Sequence, residues 1–474
     1  MLIFFAGMQL VVAFFTYQQT LTFDEAMWQY IGRNWIRNGL TPYSGGIDNK
    51  SPLIFTIFGV SDKLFGTNFW FPRLLGVVFQ TLGLFFVYKI ANHFSGKKAG
   101  ILALSVYGLS LLWHATGGKY VSYTESYSVA CAVAAFYLAI CREKNSFLLI
   151  SGILSGLAIA FRATAIMTML AILIFLVVNK KKNPFVFICG VMGMLFGLLT
   201  IFHIAGINLN DLFTYQFSDN FSPGGIASHP VLWRFRNLLN NFFKSGLILF
   251  IPPVIGYFYW TKINMGLTLW LFLEFMGISI IGLYANQHFK NILPVLSLMT
   301  TFALMHGMNY HKITYKTAFL IVWVFFLPKS LEPVIQIRKI FLPVGEIKQI
   351  SREDANNQPD DNTKKMLGLW VRSSTNKEDR VFVAGYSSII QAYSERISPS
   401  IYFNVTQTPI AKRRLFEDLD RVKPKMILLP VYPEYDSLVD SDMRGFISGV
   451  VAQSYYLERK IYGYNVYRKK LDVE

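Results

Sequence analysis

The sequence predicts a polytopic α-helical membrane protein of about eleven spans that ends in a small α/β domain. Three observations carry that expectation. Of the 474 residues, 53% are hydrophobic and only 15% charged, and the mean hydropathy is +0.38, outside the range of soluble chains. The apolar residues gather in runs close to membrane-crossing length. Charge is unevenly spread: residues 1–328 hold 9 Asp and Glu against 22 Lys and Arg, whereas the last 146 residues hold 19 against 23. The membrane part is therefore placed at residues 1–334 and the separate domain at 335–474.

The apolar runs cover roughly 1–17, 73–91, 99–115, 125–141, 147–161, 163–178, 185–206, 243–260, 266–284, 289–306 and 314–328, some shorter than the ~20 residues of a full crossing. Met1–Tyr17 lacks a basic leading segment and a small-residue cleavage site, so it reads as an uncleaved first span. Between the runs lie Lys97-Lys98, Arg142 with Lys144, Lys180-Lys181-Lys182, Lys262, and Lys312 with Lys316. If the N-terminus is cytoplasmic, all five groups fall on the cytoplasmic side, as the positive-inside rule requires. That pattern accounts for the formal net charge of +17 without a nucleic-acid partner. Arg162 interrupts one long run, so 147–161 and 163–178 read as two short helices meeting part-way across, with the arginine turned to protein or a wet cavity. Cys131, Cys141 and Cys189 all lie in or beside apolar runs, which argues against a disulfide framework or a Cys-based zinc site.

Two loops are long, and this orientation places both outside. The first, 18–72, reads as two short helices joined by a turn. Thr22-x-x-Glu25 is a capping-box pattern, and Trp28, Ile31 and Trp35 follow at helical spacing. Gly39 to Pro42 ends that helix, Gly45-Gly46 bends the chain, and Leu53–Leu64 resumes as an amphipathic segment suited to the interface. The second loop, 207–242, carries Asp211, Asp219, Pro223-Gly224-Gly225 and His229-Pro230, and reads as polar and mobile. The polar stretch Arg352–Lys365 separates the membrane part from the end domain. Beyond it, strands are expected at 380–384 and 425–429, helices around 362–374 and 411–421, and a hairpin about Tyr462-Gly463. No GxGxxG follows Gly385, so the domain carries no dinucleotide signature.

The chemistry-bearing residues cluster at the outer ends of the spans. Asp24-Glu25 lies in the first outer loop, and Lys50 follows in Asp48-Asn49-Lys50-Ser51-Pro52-Leu53. Charged groups at a membrane boundary are costly to keep dry and suggest a site. One acid could take a proton from an acceptor hydroxyl, and the lysine could neutralise a phosphate. The pair fits equally a helix's first turn, where acids favour the macrodipole, and Lys50 fits equally a side chain snorkelling to headgroups. Glu125 opens a span on the outer side, where it caps a helix or joins Asp24 in a metal or acceptor site. His288 and Lys290, in Asn286-Gln287-His288-Phe289-Lys290, open another, and near Lys50 they would form a phosphate pocket. Arg73, at the mouth of the second span, is a further phosphate candidate or a snorkelling side chain. Glu274 lies mid-span and requires a partner that the sequence does not identify.

This arrangement resembles the GT-C membrane glycosyltransferases, in particular the bacterial protein-mannosyltransferase and aminoarabinose-transferase-like group. The resemblance rests on Asp24-Glu25 opening a helix with Tyr30 beyond it, then Gly39, Pro42-Tyr43, Asp48, Lys50-Ser51-Pro52-Leu53 and Arg73-Leu74. Asn286–Pro294 is similar to the family's later aromatic-basic stretch, and Asp379–Val383 with Lys423-Pro424-Lys425 to its outer domain. It implies a sugar donor on a polyprenyl phosphate, Asp24 as the base, with Glu25 beside it, and Lys50 on the lipid phosphate. Tyr43 joins Arg73, His288 and Lys290 as a donor-binding candidate, and Asp48 joins Glu125 as an acceptor or metal candidate. Some relatives carry an acid directly before the lysine as a metal ligand, where this chain has Asn49, so a divalent metal ion is left open.

The resemblance thus implies an enzyme of the bacterial inner membrane that transfers a hexosyl or pentosyl group, with inversion, to a glycan, lipid or protein hydroxyl at the outer face. A lipid-linked glycan polymerase or ligase is the alternative, with Arg234 and Arg236 as the paired arginines such an enzyme would use. A transporter fits less well, because the loops are unequal and no repeated halves are evident.

Overall fold

The computed structural model describes residues 1–15, 19–113, 115–179, 183–218, 221, 229–260, 265–310, 312–341, 359–385, 387–404, 411–431 and 441–470. In chain order the helices are α1 (Leu2–Phe15), α2 (Phe23–Asn38), α3 (Pro52–Phe65), α4 (Trp70–Leu111), α5 (Thr124–Cys141), α6 (Asn145–Phe161), α7 (Ile166–Asn179), α8 (Pro184–Ile204) and α9 (Leu209–Phe213). There follow α10 (Val231–Lys244), α11 (Ile251–Trp260), α12 (Met265–Ile281), α13 (Leu293–Tyr310), α14 (Tyr315–Phe341), α15 (Asp361–Ser373), α16 (Ser388–Ser394), α17 (Ala411–Arg421) and α18 (Ser441–Ser454). The strands are β1 (Val381–Val383), β2 (Met426–Pro430), β3 (Tyr455–Ile461) and β4 (Tyr464–Lys469).

Every expected apolar run falls on a helix, and the chain is a multi-pass membrane protein. The count of eleven is not reached by length and apolarity. Three described helices, α4, α5 and α8, pass both criteria, and α10 with Leu247–Tyr259 makes a fourth only as a pair bent by 76°. Four shorter apolar helices, Leu2–Phe15, Asn145–Phe161, Ala163–Val178 and Gly266–Ile281, fall on other expected spans. Local breaks shorten them. Arg162 is extended (φ −153, ψ 114) between α6 and a 3-10 turn at Ala163–Ala165. Runs 73–91 and 99–115 form two helices, written together as α4, that meet at the non-helical Ser95 and Gly96. The run expected from 289 starts as helix only at Leu293, after a 3-10 turn over Asn286–Asn291.

The second loop departs further from expectation. Instead of a polar loop, 231–242 lies within α10, a helix with an apolar stripe. Asp219 and Pro223-Gly224-Gly225 lie outside the described residues, as do Lys180-Lys181-Lys182, Lys262 and the first half (352–358) of the 352–365 separator.

The chain divides into two compact units. One comprises Met1–Tyr17, Pro72–Ile201 and His229–Phe341; the other Gln18–Phe71, Phe202–Ser228 and Leu342–Glu474. The first is the helical membrane unit. Its core helix is α5, 89% buried over its apolar window, with Phe136 stacked on Trp270 of α12 at 4.3 Å.

The second unit joins the first outer loop to the C-terminal α/β domain. Thr22 caps α2 in the expected box: Glu25 N donates to Thr22 Oγ1, and Thr22 N donates to Glu25 Oε2 at 2.8 Å. Gly39 ends the helix in the left-handed region (φ 68). Ser51 caps α3, with Pro52 in its first turn. The two helices cross at Gly32 and Gly59, where an added Cβ would meet Phe55 O at 2.3 Å and Gly32 O at 2.5 Å respectively. Only glycine permits that approach.

The sheet order is β1-β2-β4-β3, with β1 parallel to β2 and the other pairs antiparallel. Tyr462 and Gly463 close the expected β3–β4 hairpin, both at positive φ (49 and 74), the signature of a type I′ turn. Within this unit α2 lies against α16. Ser398 N donates to Tyr30 Oη at 2.9 Å, Arg33 donates to Ala392 O at 2.6 Å, and Tyr30 packs on Phe403 at 4.2 Å. Arg33 also pairs with the fully buried Asp62 of α3 at 2.7 Å, so one guanidinium ties both outer-loop helices to the end domain.

Candidate active site

The nine candidate residues fall into both units, and each group is built differently. In the second unit lie Asp24, Glu25, Tyr43, Asp48 and Lys50. Glu25 is fully buried and its carboxylate accepts from the cap backbone, so it serves to start α2. Asp24, one residue earlier in the same first turn, is only partly buried. Of the two acids, Glu25 is engaged in the cap and Asp24 is the more exposed.

Asp48 is held in place by the Trp28 indole, which donates to Oδ2 at 2.8 Å, and by Asn49 N, which donates to Oδ1 at 2.7 Å. Lys50 is half-buried, and its Nζ donates to Asn49 Oδ1 at 2.6 Å. It stands just before the Ser51 cap of α3. A lysine beside the positive end of a helix makes a place suited to an anion. Tyr43 fixes the backbone here. It adopts φ +70, donates from its hydroxyl to Lys50 O at 2.8 Å and accepts from Gln216 Nε2 at 3.3 Å. Burial pushes the Tyr43 hydroxyl well above the usual phenol pKa, so it remains a donor. Neither Gln216 nor Tyr215, whose ring stacks on Tyr43 at 5.8 Å, was singled out from the sequence. They lie more than 170 residues away, and only the fold brings them in.

In the membrane unit lie Arg73, Glu125, His288 and Lys290. Arg73 is fully buried and donates to Ala13 O at 3.4 Å, so it does not snorkel. Glu125, 2% exposed, pairs with Arg162, and His288 Nε2 lies 3.9 Å from its Oε1. Lys290, 1% exposed, donates to Tyr120 O at 2.6 Å and to Ser126 Oγ at 2.9 Å. The arginine that breaks the α6–α7 run thus finds its counter-charge in Glu125, a partnership that sequence reasoning missed. Glu274 receives its partner too: Thr168 Oγ1, which also accepts from Trp270 Nε1 at 3.1 Å.

Among the described residues no three His, Cys, Asp or Glu side chains converge as metal ligands. Asp48 is engaged by Trp28 and Asn49, and the Asn49 amide oxygen accepts from Lys50.

Removing one partner of the buried Glu125–Arg162 pair leaves an uncompensated charge. Glu125→Ala is expected to destabilise the protein by roughly 3–5 kcal/mol. Glu125→Leu combined with Arg162→Met should recover most of that loss. Chemical or thermal unfolding of the purified protein in detergent checks both; an additive double variant would show that the two side chains do not act as a pair.

Residues 49–204 match the sequence model of the dolichyl-phosphate-mannose-protein mannosyltransferase family. By structure the chain resembles ArnT from Cupriavidus metallidurans bound to undecaprenyl phosphate, at TM-score 0.66 and 10% identity, covering 99% of this chain and 98% of that one. The chain shares the fold of that protein. Other solved structures share this fold. The archaeal oligosaccharyltransferase AglB from Archaeoglobus fulgidus, in complex with an inhibitory peptide and a dolichol-phosphate, matches at TM-score 0.58 and 12% identity over 100% of this chain and 74% of that one. The arabinofuranosyltransferase AftD from mycobacteria matches at TM-score 0.58 and 12% identity, with 40% of its length covered. Among curated proteins none matches this sequence significantly.

Proposed function

We propose that this GT-C protein is a glycosyltransferase that moves a sugar from a polyprenyl phosphate to an acceptor hydroxyl at the extracytoplasmic face of a bacterial inner membrane. The observation that carries the reading is the fold match along nearly the whole of both chains to a transferase bound to undecaprenyl phosphate. The sequence match over 49–204, which begins beside Lys50, supports it. So does a partly buried acid at the start of α2 in the same unit as a lysine at the start of α3.

In this reading Asp24 takes the proton of the acceptor hydroxyl as its oxygen attacks the anomeric carbon. The bond from that carbon to the phosphate oxygen breaks, and Lys50 stabilises the departing polyprenyl phosphate. A single displacement inverts the anomeric centre. Tyr43 and Asn49 position the lysine. Arg73, His288 and Lys290 are further donor-binding candidates, and Asp48 and Glu125 are acceptor candidates.

Mass spectrometry of cell-envelope glycans and lipid-linked sugars, in cells with and without the gene, tests the reading. Loss of one sugar residue from one glycan, with its polyprenyl-phosphate sugar accumulating, is the expected result. Unchanged glycans and lipid-linked pools would overturn it. Loss of whole repeat polymers, with no single residue missing, would favour the polymerase or ligase reading.

A further inference from the structure

The helix α10 has no fully buried residue, yet it is strongly two-faced. At about 3.6 residues per turn, its side chains fall into three sectors. Leu238 and Phe242 pack on the membrane-unit core, and on the neighbouring sector Asn237 donates to Leu283 O. Leu232, Phe235, Leu239 and Phe243 form an exposed apolar sector, with exposures of 78, 55, 43 and 56%. Arg236, Asn240 and Lys244, all exposed, form the third. No acidic residue occurs anywhere from His229 to Leu247. The helix is turned 76° from Leu247–Tyr259, the apolar helix that follows it.

We infer that α10 lies in the plane of the membrane and docks on an anionic bilayer surface. The geometry leaves one place for each sector. The 76° bend between α10 and the apolar segment Leu247–Tyr259 lets α10 run near the membrane plane while that segment enters the bilayer. Its exposed apolar sector then enters the acyl region, and the adjacent basic sector meets acidic headgroups, as in interfacial amphipathic helices. The remaining sector, with Leu238 and Phe242, faces the protein. Arg236 and Lys244 supply the charge complementarity, each raising the preference for acidic lipid by about 5-fold. Because α10 touches the His288–Lys290 turn, seating the helix in lipid also fixes one wall of that turn. The inference rests on α10 itself and does not depend on the proposed sugar transfer.

The full chain in lipid nanodiscs provides the test. Nitroxide labels are placed at Phe235→Cys, Leu239→Cys and Asn240→Cys in a Cys189→Ser background, Cys131 and Cys141 being buried. At 235 and 239 the labels should collide with dissolved oxygen and be shielded from a water-soluble nickel chelate; at 240 the reverse should hold. A fluorophore at 240 should be quenched preferentially by nitroxide-labelled phosphatidylglycerol over phosphatidylcholine. That preference should fall about 5-fold for Arg236→Gln and again for Lys244→Gln. Equal nickel access at all three positions would overturn the inference by placing the helix in water. Spin–spin broadening between 235 labels of two copies would overturn it in favour of a second copy of this chain. Absence of any preference for acidic lipid would overturn the anionic partner. All the altered side chains are exposed, so the fold is preserved in each variant.

Discussion

Asp24→Asn is expected to lower sugar transfer by about 10²–10⁴-fold with little loss of stability. The amide keeps the size of the side chain, and loss of the acid at the helix start costs only ~0.3–1 kcal/mol of macrodipole interaction. It cannot accept the acceptor's proton. Glu25→Gln is the control. It retains an oxygen for the Thr22 N–H, so the cap survives, and transfer should fall far less. Transfer by purified protein from a polyprenyl-phosphate sugar, with thermal stability measured alongside, separates the readings. Should Asp24→Asn melt early and lose activity only in proportion to folded protein, the acid is a helix-start residue. If it folds normally and transfers at the parent rate, the base is another acid, with Glu25, Asp48 and Glu125 next in line.

Lys50→Met is expected to be the second large loss. Methionine keeps an apolar stem and removes the amine, so a charged contact to the lipid phosphate disappears at roughly 2–5 kcal/mol, or about 30- to 4,000-fold. Because negative charge grows on the phosphate as the sugar leaves, most of that loss should fall on turnover rather than on KM. Tyr43, Asn49 and Ser51 hold the surrounding backbone, and none depends on the amine except the Asn49 contact, so folding should survive. An unchanged rate at matched protein amount would make Lys50 a headgroup-seeking side chain.

Much of the local structure was legible because its causes are local. The capping box at Thr22 and Glu25, the glycine stop at Gly39, the cap before Pro52 and the hairpin at Tyr462-Gly463 each depend on residues a few positions apart. The apolar runs located the helices, and the breaks at Ser95-Gly96 and Arg162 fall where Lys97-Lys98 and Arg162 interrupt the hydropathy, but length alone did not decide which helices cross. α10 was readable in principle. Val231, Phe235, Leu238, Leu239 and Phe242 share one face at helical spacing, but they follow a Pro-Gly-Gly and a His-Pro that signal a loop.

What the sequence by itself determined, then, is the class of protein, its α/β end domain and a short set of polar candidates. Tertiary structure decided which candidates have partners. Glu125 meets Arg162 across 37 positions, Glu274 meets Thr168 across 106, and Tyr30 meets Ser398 across 368. It also joined the outer-loop helices to the end domain in one unit, through Arg33 and Tyr30. The reason is physical. A buried charge or hydroxyl must find a complement, but that requirement names only the kind of partner, and chain folding alone selects which distant residue supplies it.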